Sequence, residues 1–455
     1  MHRHHDSILA GRKDADKLLD RLVAQNLFVI KTSQSTYRYH HLFLKFLQNK
    51  LKENPDIDVQ KLILKAADLY FKQQDFFTAL AYYIRAVNHS GINKCFLKLS
   101  SSCLNFNIEE LLNYFTVFVF NKLPEEFITT NVSLVFESVW INYVNGNAEA
   151  ALRYIDIAYD YIASEHNMNT MKENDFLGFI CIIRFLDFRK SICEYAEEFS
   201  ELMKTLPNQS YDGINIYTAT ITENFPFMHR SICDCLEIAV DMDNRLQAVK
   251  EVFGVFFPKE VDVLCYCVKA GLYYELNKLE KAHETIILAQ CGLKNDIRFE
   301  IHLCVYMLLS QILNALNKKE ESESITKHFA GRIKEKDALY LNPNFLAVET
   351  KHRLWDADQE AAKIWLEQFF VTEDEQFCFY KLYQYFTTAR AYIVLSDKEK
   401  AMECLEKLKK LSMDYHRPLD TAETGVLQSA LKWAASSQKE AVQMLKEVLL
   451  AMQPY

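Results

Sequence analysis

The sequence predicts an all-α chain: a stacked helical-repeat solenoid preceded by a small mixed element. Two observations carry this reading. Only 10 Gly and 8 Pro occur in 455 residues, too few turn-formers for a strand-rich chain but enough for helices joined by short polar turns. A bulky residue followed nine positions later by Ala and then four later by another bulky residue recurs along the chain, as in Tyr273, Ala282 and Ile286. Large–small–large on one helix and small–large–small on the next lets antiparallel helices mesh, with Ala where the axes approach.

The elements follow in order. Residues 16–26 read as an amphipathic helix with Leu18, Leu19, Leu22 and Val23 on one face. Leu27–Lys31 is a short strand, Thr32–Thr36 a polar turn, Tyr37–Tyr39 a second strand and His41–Lys52 a new helix. That order is the outline of part of a winged helix, and residues 1–55 are assigned to it. Asn54, Pro55 and Asp56 then break the chain, and residues 56–455 form the repeats.

Within the repeats, one set is Ile63, Ala67, Tyr70, Ala79, Tyr83 and Ala86. A second is Tyr266, Ala270, Tyr273, Ala282, Ile286 and Ala289, and a third Tyr385, Ala389, Tyr392, Ala401, Leu405 and Leu408. Turns are expected at Gln73–Asp75, Asn145–Asn147, Asn277–Lys278, Asn317–Lys319 and Ser396–Lys398. Ser322 stands 40 residues after Ala282, and Ala441 stands 40 after Ala401. The stretch 206–226 holds Pro207, Gly213 and Pro226 and reads as an irregular connection, either functional or a plain insertion.

Formal charge is −9 overall, yet residues 1–52 carry +6 and the remainder −15. An acidic solenoid is a poor generic nucleic-acid binder. Lys31, Arg38, Lys45, Lys50 and Lys52 would permit DNA contact by the first element. Its second helix is too apolar for a groove, however, and suits docking against protein (Leu42, Phe43, Leu44, Phe46). The 12 Cys lie among apolar helical residues and read as buried, reduced thiols in an intracellular, cytoplasmic protein. No run reaches the ~18 apolar residues of a membrane span.

The segments LLDRLVAQNLFVI at 18–30 and YRYHHLFLKFL at 37–47 resemble the winged helix of ATP-dependent regulators related to MalT, which belong to the LuxR group and to the STAND ATPases. NFPFMHRSICD at 224–234 and the ending ALKWAASSQKEAVQMLKEVLLAMQPY at 430–455 resemble parts of that family's TPR-like helical region. The resemblance implies a sensor solenoid between a P-loop ATPase and a helix-turn-helix. The chain contains no G-x-x-x-x-G-K-[ST] loop, so ATP or ADP is expected only through an ATPase domain outside it, with no cofactor in this chain. It also ends at Tyr455 without a helix-turn-helix, so no direct DNA binding is expected.

The resemblance also implies that His40 touches a nucleotide phosphate when an ATPase domain is present. The alternative, favoured for the chain alone, packs His40 and His41 at a strand–helix junction against Tyr37 and Phe43. Phe225, His229 and Arg230 form a candidate ligand patch after the irregular connection. Their alternative is a helix start with Arg230 paired to Asp234 one turn on. The acidic pairs Asp241/Asp243 and Asp356/Asp358 lack a third partner, and His2–His5 at the terminus is a poor metal site. No catalytic motif stands out. Expected partners are therefore a small-molecule or peptide inducer and regulatory proteins, without a membrane, and homo-oligomerisation stays open. A stand-alone TPR-type peptide receptor or adaptor is the rival function; a helical enzyme trails both.

Overall fold

The structure is a computed structural model that describes residues 15–25, 27–32, 37–55, 57–102, 112, 115–116, 120, 123–163, 173–205, 221–372, 374–435 and 437–455. His2–His5, the turn residues 33–36 and the connection at 206–220 lie outside these.

The first element folds in the expected order: α1 (Ala15–Ala24), β1 (Val29–Lys31), β2 (Tyr37–Tyr39) and α2 (His41–Glu53). The strands pair antiparallel, with Val29 opposite Tyr39 and Lys31 opposite Tyr37. Leu19, Val29 and Tyr37 form a small core, covered by Leu22, Val23, Tyr39 and Phe43. The Tyr37 hydroxyl donates to Asp20 at 2.6 Å, tying the strand to α1. Phe28, Ile30, Leu42 and Phe46 remain more than half exposed, an apolar surface that this element does not cover itself.

Helices α3 (Val59–Lys72), α4 (Phe76–Arg85) and α5 (His89–Ser102) follow, then the short α6 (Glu125–Thr129) and α7 (Val132–Val144). Compactness divides the chain beyond the sequence boundary at residue 55. One unit is Met1–Cys103 with Asn113–Ser133, the other Leu104–Leu112 with Leu134–Tyr455. In the first unit α3, α4 and α5 pack in succession, with Ala67, Ala79 and Ala86 buried between them.

The second unit continues with α8 (Ala148–Ala163), α9 (Glu173–Leu186), α10 (Ile192–Thr205) and α11 (Met242–Phe256). Five pairs then stack: α12 (Val261–Glu275) on α13 (Leu279–Gly292), α14 (Phe299–Ala315) on α15 (Lys319–Glu335), α16 (Asn342–Trp355) on α17 (Gln359–Gln368), α18 (Leu382–Val394) on α19 (Lys398–Asp414), and α20 (Pro418–Ala434) on α21 (Gln438–Met452). The fold is thus an all-α, TPR-type solenoid region with a winged-helix element.

The meshing residues lie inside. Ala282, Ala401 and Ala441 are at most 1% exposed and Ser322 2%. Ala362, 40 residues after Ser322 and not singled out from the sequence, is fully buried in the same place. Twelve positions earlier, on the partner helix, stand Ala270, Ser310, Thr350, Ala389 and Ser429 in turn. Ser310 and Ser322 hydroxyls meet at 2.8 Å, and Ser429 donates to the Ala441 carbonyl at 2.8 Å.

The turns explain how so few glycines suffice. Asn277, Asn317 and Ser396 take φ of 54°, 60° and 63°. In each turn the next N–H reaches back to the fifth residue before it, as Lys278 does to Tyr273 at 2.8 Å and Asp397 to Tyr392 at 2.9 Å. This is the Schellman closure, with Asn or Ser where Gly is usual. Asp75, Asp358 and Asp397 then cap the following helix through their side chains, so one residue ends one helix and starts another. Gly146 needs to be glycine: its φ is +79° and a Cβ would stand 2.2 Å from the Phe377 carbonyl oxygen.

Candidate functional site

Residues 221–235 depart from the helical rule. Pro226 lacks an N–H, and Glu223 and Asn224 take successive positive φ of 51° and 59°, so no helix can form here. The alternative of a helix start with Arg230 paired to Asp234 is therefore corrected. Helical structure resumes only at the 3-10 turn Leu236–Asp241. Arg230 and Asp234 do face each other, but across an isolated antiparallel bridge rather than one helical turn.

The segment is buried from Ile221 to Ile232, although it is neither helix nor paired strand. Such backbone must find partners away from water, and the first helices of successive pairs supply them. Glu300 of α14 accepts from the Ile221 N–H at 2.6 Å. Asn344 of α16 donates to the Asn224 carbonyl at 3.0 Å and Tyr383 of α18 to the Arg230 carbonyl at 2.8 Å. Arg417, 2% exposed, donates to the carbonyls of Ser231 at 2.7 Å and Arg230 at 2.9 Å. Tyr143 of α7 reaches the Ile232 carbonyl at 2.5 Å. Phe225 and Phe227 insert edgewise against Tyr383, each with ring centroids at 5.3 Å.

The three residues of the candidate patch separate. Phe225 and His229 are completely buried, so neither offers a surface to a ligand. His229 Nε2 lies 3.0 Å from Glu275, and burial holds the imidazole below its usual pKa. Its ring fits because Gly271 has no side chain; a Cβ there would sit 1.9 Å from Nδ1. Arg230, 5% exposed, donates through Nε to Asp420 at 3.0 Å and also contacts Glu423 and Glu275. Arg390 pairs with the same Glu423, and Arg417 with Asp420. Burial alone would raise Glu423; Arg230, Arg390 and Lys351 overrule it and keep the carboxylate well below its usual range.

Beside this network lies a cavity of about 460 Å³. Its lining combines the charged Arg230, Glu275, Lys351, Arg390 and Glu423 with the apolar Val426, Val448, Leu449 and Met452, and Trp355 beside Lys351. A second cavity of about 270 Å³ adjoins Glu223, Asn344 and Gln384. Trp140 donates to Glu223 Oε1 at 2.9 Å, while Oε2 has no hydrogen-bond partner. Burial pushes this carboxyl up to about 8. Lys351, Arg390, Arg417, Asp420 and Glu423 were missed from sequence. Their available signal was charge at positions where the helix pattern calls for apolar residues, as in Arg390 between Ala389 and Ala391.

His40 sits where β2 meets α2. Its carbonyl accepts the Leu44 N–H at 2.9 Å, its side chain makes no cap hydrogen bond, and its ring lies 4.4 Å from His41 and 6.1 Å from Phe28. Among the described residues no group of three or more His, Cys, Asp or Glu could hold a metal ion, and no helix is long and apolar enough to cross a membrane.

A winged-helix element followed by repeats whose inner segment is locked by buried ion pairs defines a TPR-type helical-repeat protein. Two regions match known families: residues 7–58 the MalT winged helix domain and residues 260–453 the MalT-like TPR region. The chain is similar to a Signal Transduction ATPase with Numerous Domains (STAND) protein with a tetratricopeptide repeat sensor from Pyrococcus horikoshii, at 13% identity and TM-score 0.44, over 100% of this chain and 61% of that one. The chain therefore spans less than two thirds of that protein's length. It is also similar to a chain of the APC/C hetero-tetramer Cut9-Hcn1, at 13% identity and TM-score 0.28, over 90% of this chain and 82% of that one. No curated protein matches.

Proposed function

We propose that this chain is the ligand-sensing helical-repeat region of a MalT-like, ATP-dependent transcription regulator of the cytoplasm. In this reading ATP or ADP is held by an ATPase domain and DNA by a helix-turn-helix, neither of them in the residues described. The repeat region itself binds rather than catalyses, as such arrays generally do. Inducer binding stabilises one arrangement of the regulator over another. The exposed Phe28, Ile30, Leu42 and Phe46 supply an apolar surface for a partner domain or regulatory protein, and His40 stands at its edge for a nucleotide phosphate brought by that domain.

The observation that carries the reading is the cavity of about 460 Å³, lined mostly by residues of the repeat region that matches MalT. It favours a small-molecule inducer over a peptide. The face made by α12, α14, α16, α18 and α20, where a peptide would lie, is already occupied by residues 221–235 of the chain itself. A thermal-shift panel of metabolites and of extended peptides separates the two functions. Stabilisation by a small molecule and by no peptide is expected; stabilisation by peptides alone would replace the sensor with a peptide receptor. Titrating ADP into the isolated chain should give no saturable heat, and a micromolar response would overturn the placement of nucleotide binding in another domain.

A further inference from the structure

We propose that the cavity beside Lys351 is a binding site for small amphipathic carboxylates, with the head at the Lys351 ammonium and the apolar body toward α20 and α21. This rests on the sensor reading and names the ligand class of its cavity.

The charges on the cavity wall are not equivalent. Arg230 is engaged by Asp420, Glu423 and Glu275, and Arg390 by Glu423. Those guanidiniums and carboxylates neutralise one another. Lys351 stands apart: its ammonium donates to Gln311 Oε1 at 3.0 Å, and among the described residues no carboxylate lies within ion-pair distance. An ammonium carries three donors, so N–H capacity is left over at the cavity. It is also held between rings, 5.5 Å from the centroid of Phe227 and 5.7 Å from that of Trp355, which fixes where the charge sits. Burial depresses Lys351 to about 8, so it is mostly charged at neutral pH and incompletely solvated.

A single anionic oxygen pair would complete that ammonium with charge-assisted hydrogen bonds. A dianion would meet Glu275 and Glu423 nearby, and a cation would meet Lys351 with both carboxylates already paired. Most of the remaining lining is apolar, including Leu236, Leu419, Val426, Val448, Leu449 and Met452, with Tyr274 and Tyr455 among it. A polar head inward and an apolar body outward match this division.

The test uses the full chain and calorimetry with 3-phenylpropanoate and octanoate, against 3-phenylpropanamide and 3-phenylpropylamine. Both carboxylates should bind saturably, the amide at least about tenfold more weakly, and the amine not detectably. Lys351→Met should abolish carboxylate binding while the chain still melts in one cooperative transition. Ala422→Trp, which fills the cavity from α20, should abolish it too. Equal binding of acid and amide, tighter binding of the amine, retained affinity in Lys351→Met, or no binding of either acid would overturn the proposal. If another metabolite stabilises the chain and loses its effect in Ala422→Trp, the ligand class is wrong and the sensor reading stands. If no small molecule stabilises it, the sensor reading falls as well.

Discussion

The paired helices of 260–453 and the segment 221–235 lie against each other and are held by opposite means. The helices satisfy their own backbone and mesh through small residues, Ala282 against α12 and Ala401 against α18 being fully buried. The segment satisfies only part of its backbone locally, through turns such as Phe225 N–H to the Thr222 carbonyl and Cys235 N–H to the His229 carbonyl. The rest borrows donors and acceptors from α7, α14, α16, α18 and the residue capping α20, up to 187 residues away. The difference shows where specificity resides. Repeats alone could slide or extend, whereas a strand of coil pinned by Arg417, Asp420 and Tyr383 fixes which helices stand beside it.

The sharpest way to break this contrast is to remove the pin. Arg417→Ala would leave the buried Ser231 carbonyl without its Arg417 donor, the Arg230 carbonyl with Tyr383 alone and Asp420 with one partner fewer, and should cost about 3–5 kcal/mol. Urea unfolding measures it, and a loss under 1 kcal/mol would mean that the polar lock contributes little. On the helical side, Ala282→Leu and Ala401→Leu should each destabilise by roughly 1–3 kcal/mol through overpacking. Wild-type melting in both would contradict the meshing.

A smaller effect sharpens the comparison through pH. Glu223 is raised from 4.5 to about 8 by burial, so the folded state holds its proton more tightly than the unfolded one. The stability this contributes is complete below pH 4.5 and lost as pH rises through about 8. Glu137 and Asp234 are raised in the same direction, to about 8 and about 6. Glu423 and Glu275 are lowered and lose their contribution in acid. Comparing Glu223→Gln with wild type cancels those other groups. The variant should gain relative stability steadily from pH 5 to pH 8, and a flat difference across that range would contradict the buried carboxyl.

The same contrast accounts for what could be read from the sequence. Schellman turns, Asp caps and the Ala282–Ser322–Ala441 spacing are local or periodic, so their residues announce them. The two strands and apolar α2 of the first element were legible for the same reason. The segment 221–235 was not, because Arg230 has Asp234 four residues on as an obvious helical partner, while its carboxylates come from Asp420 and Glu423. Lys351 was invisible on similar grounds: only its isolation from carboxylates marks it, and that is a property of three dimensions.

Hydrogen exchange over 225–236 tests the central claim most directly, namely that this coil belongs to the core of the repeat region. The N–H groups of Phe225, Arg230, Ser231 and Cys235 are all hydrogen-bonded within it. Protection of peptides covering this stretch should equal that of α12, α14 and α18, lost in one cooperative opening. Exchange of the segment within seconds, while those helices stay protected, would contradict the account.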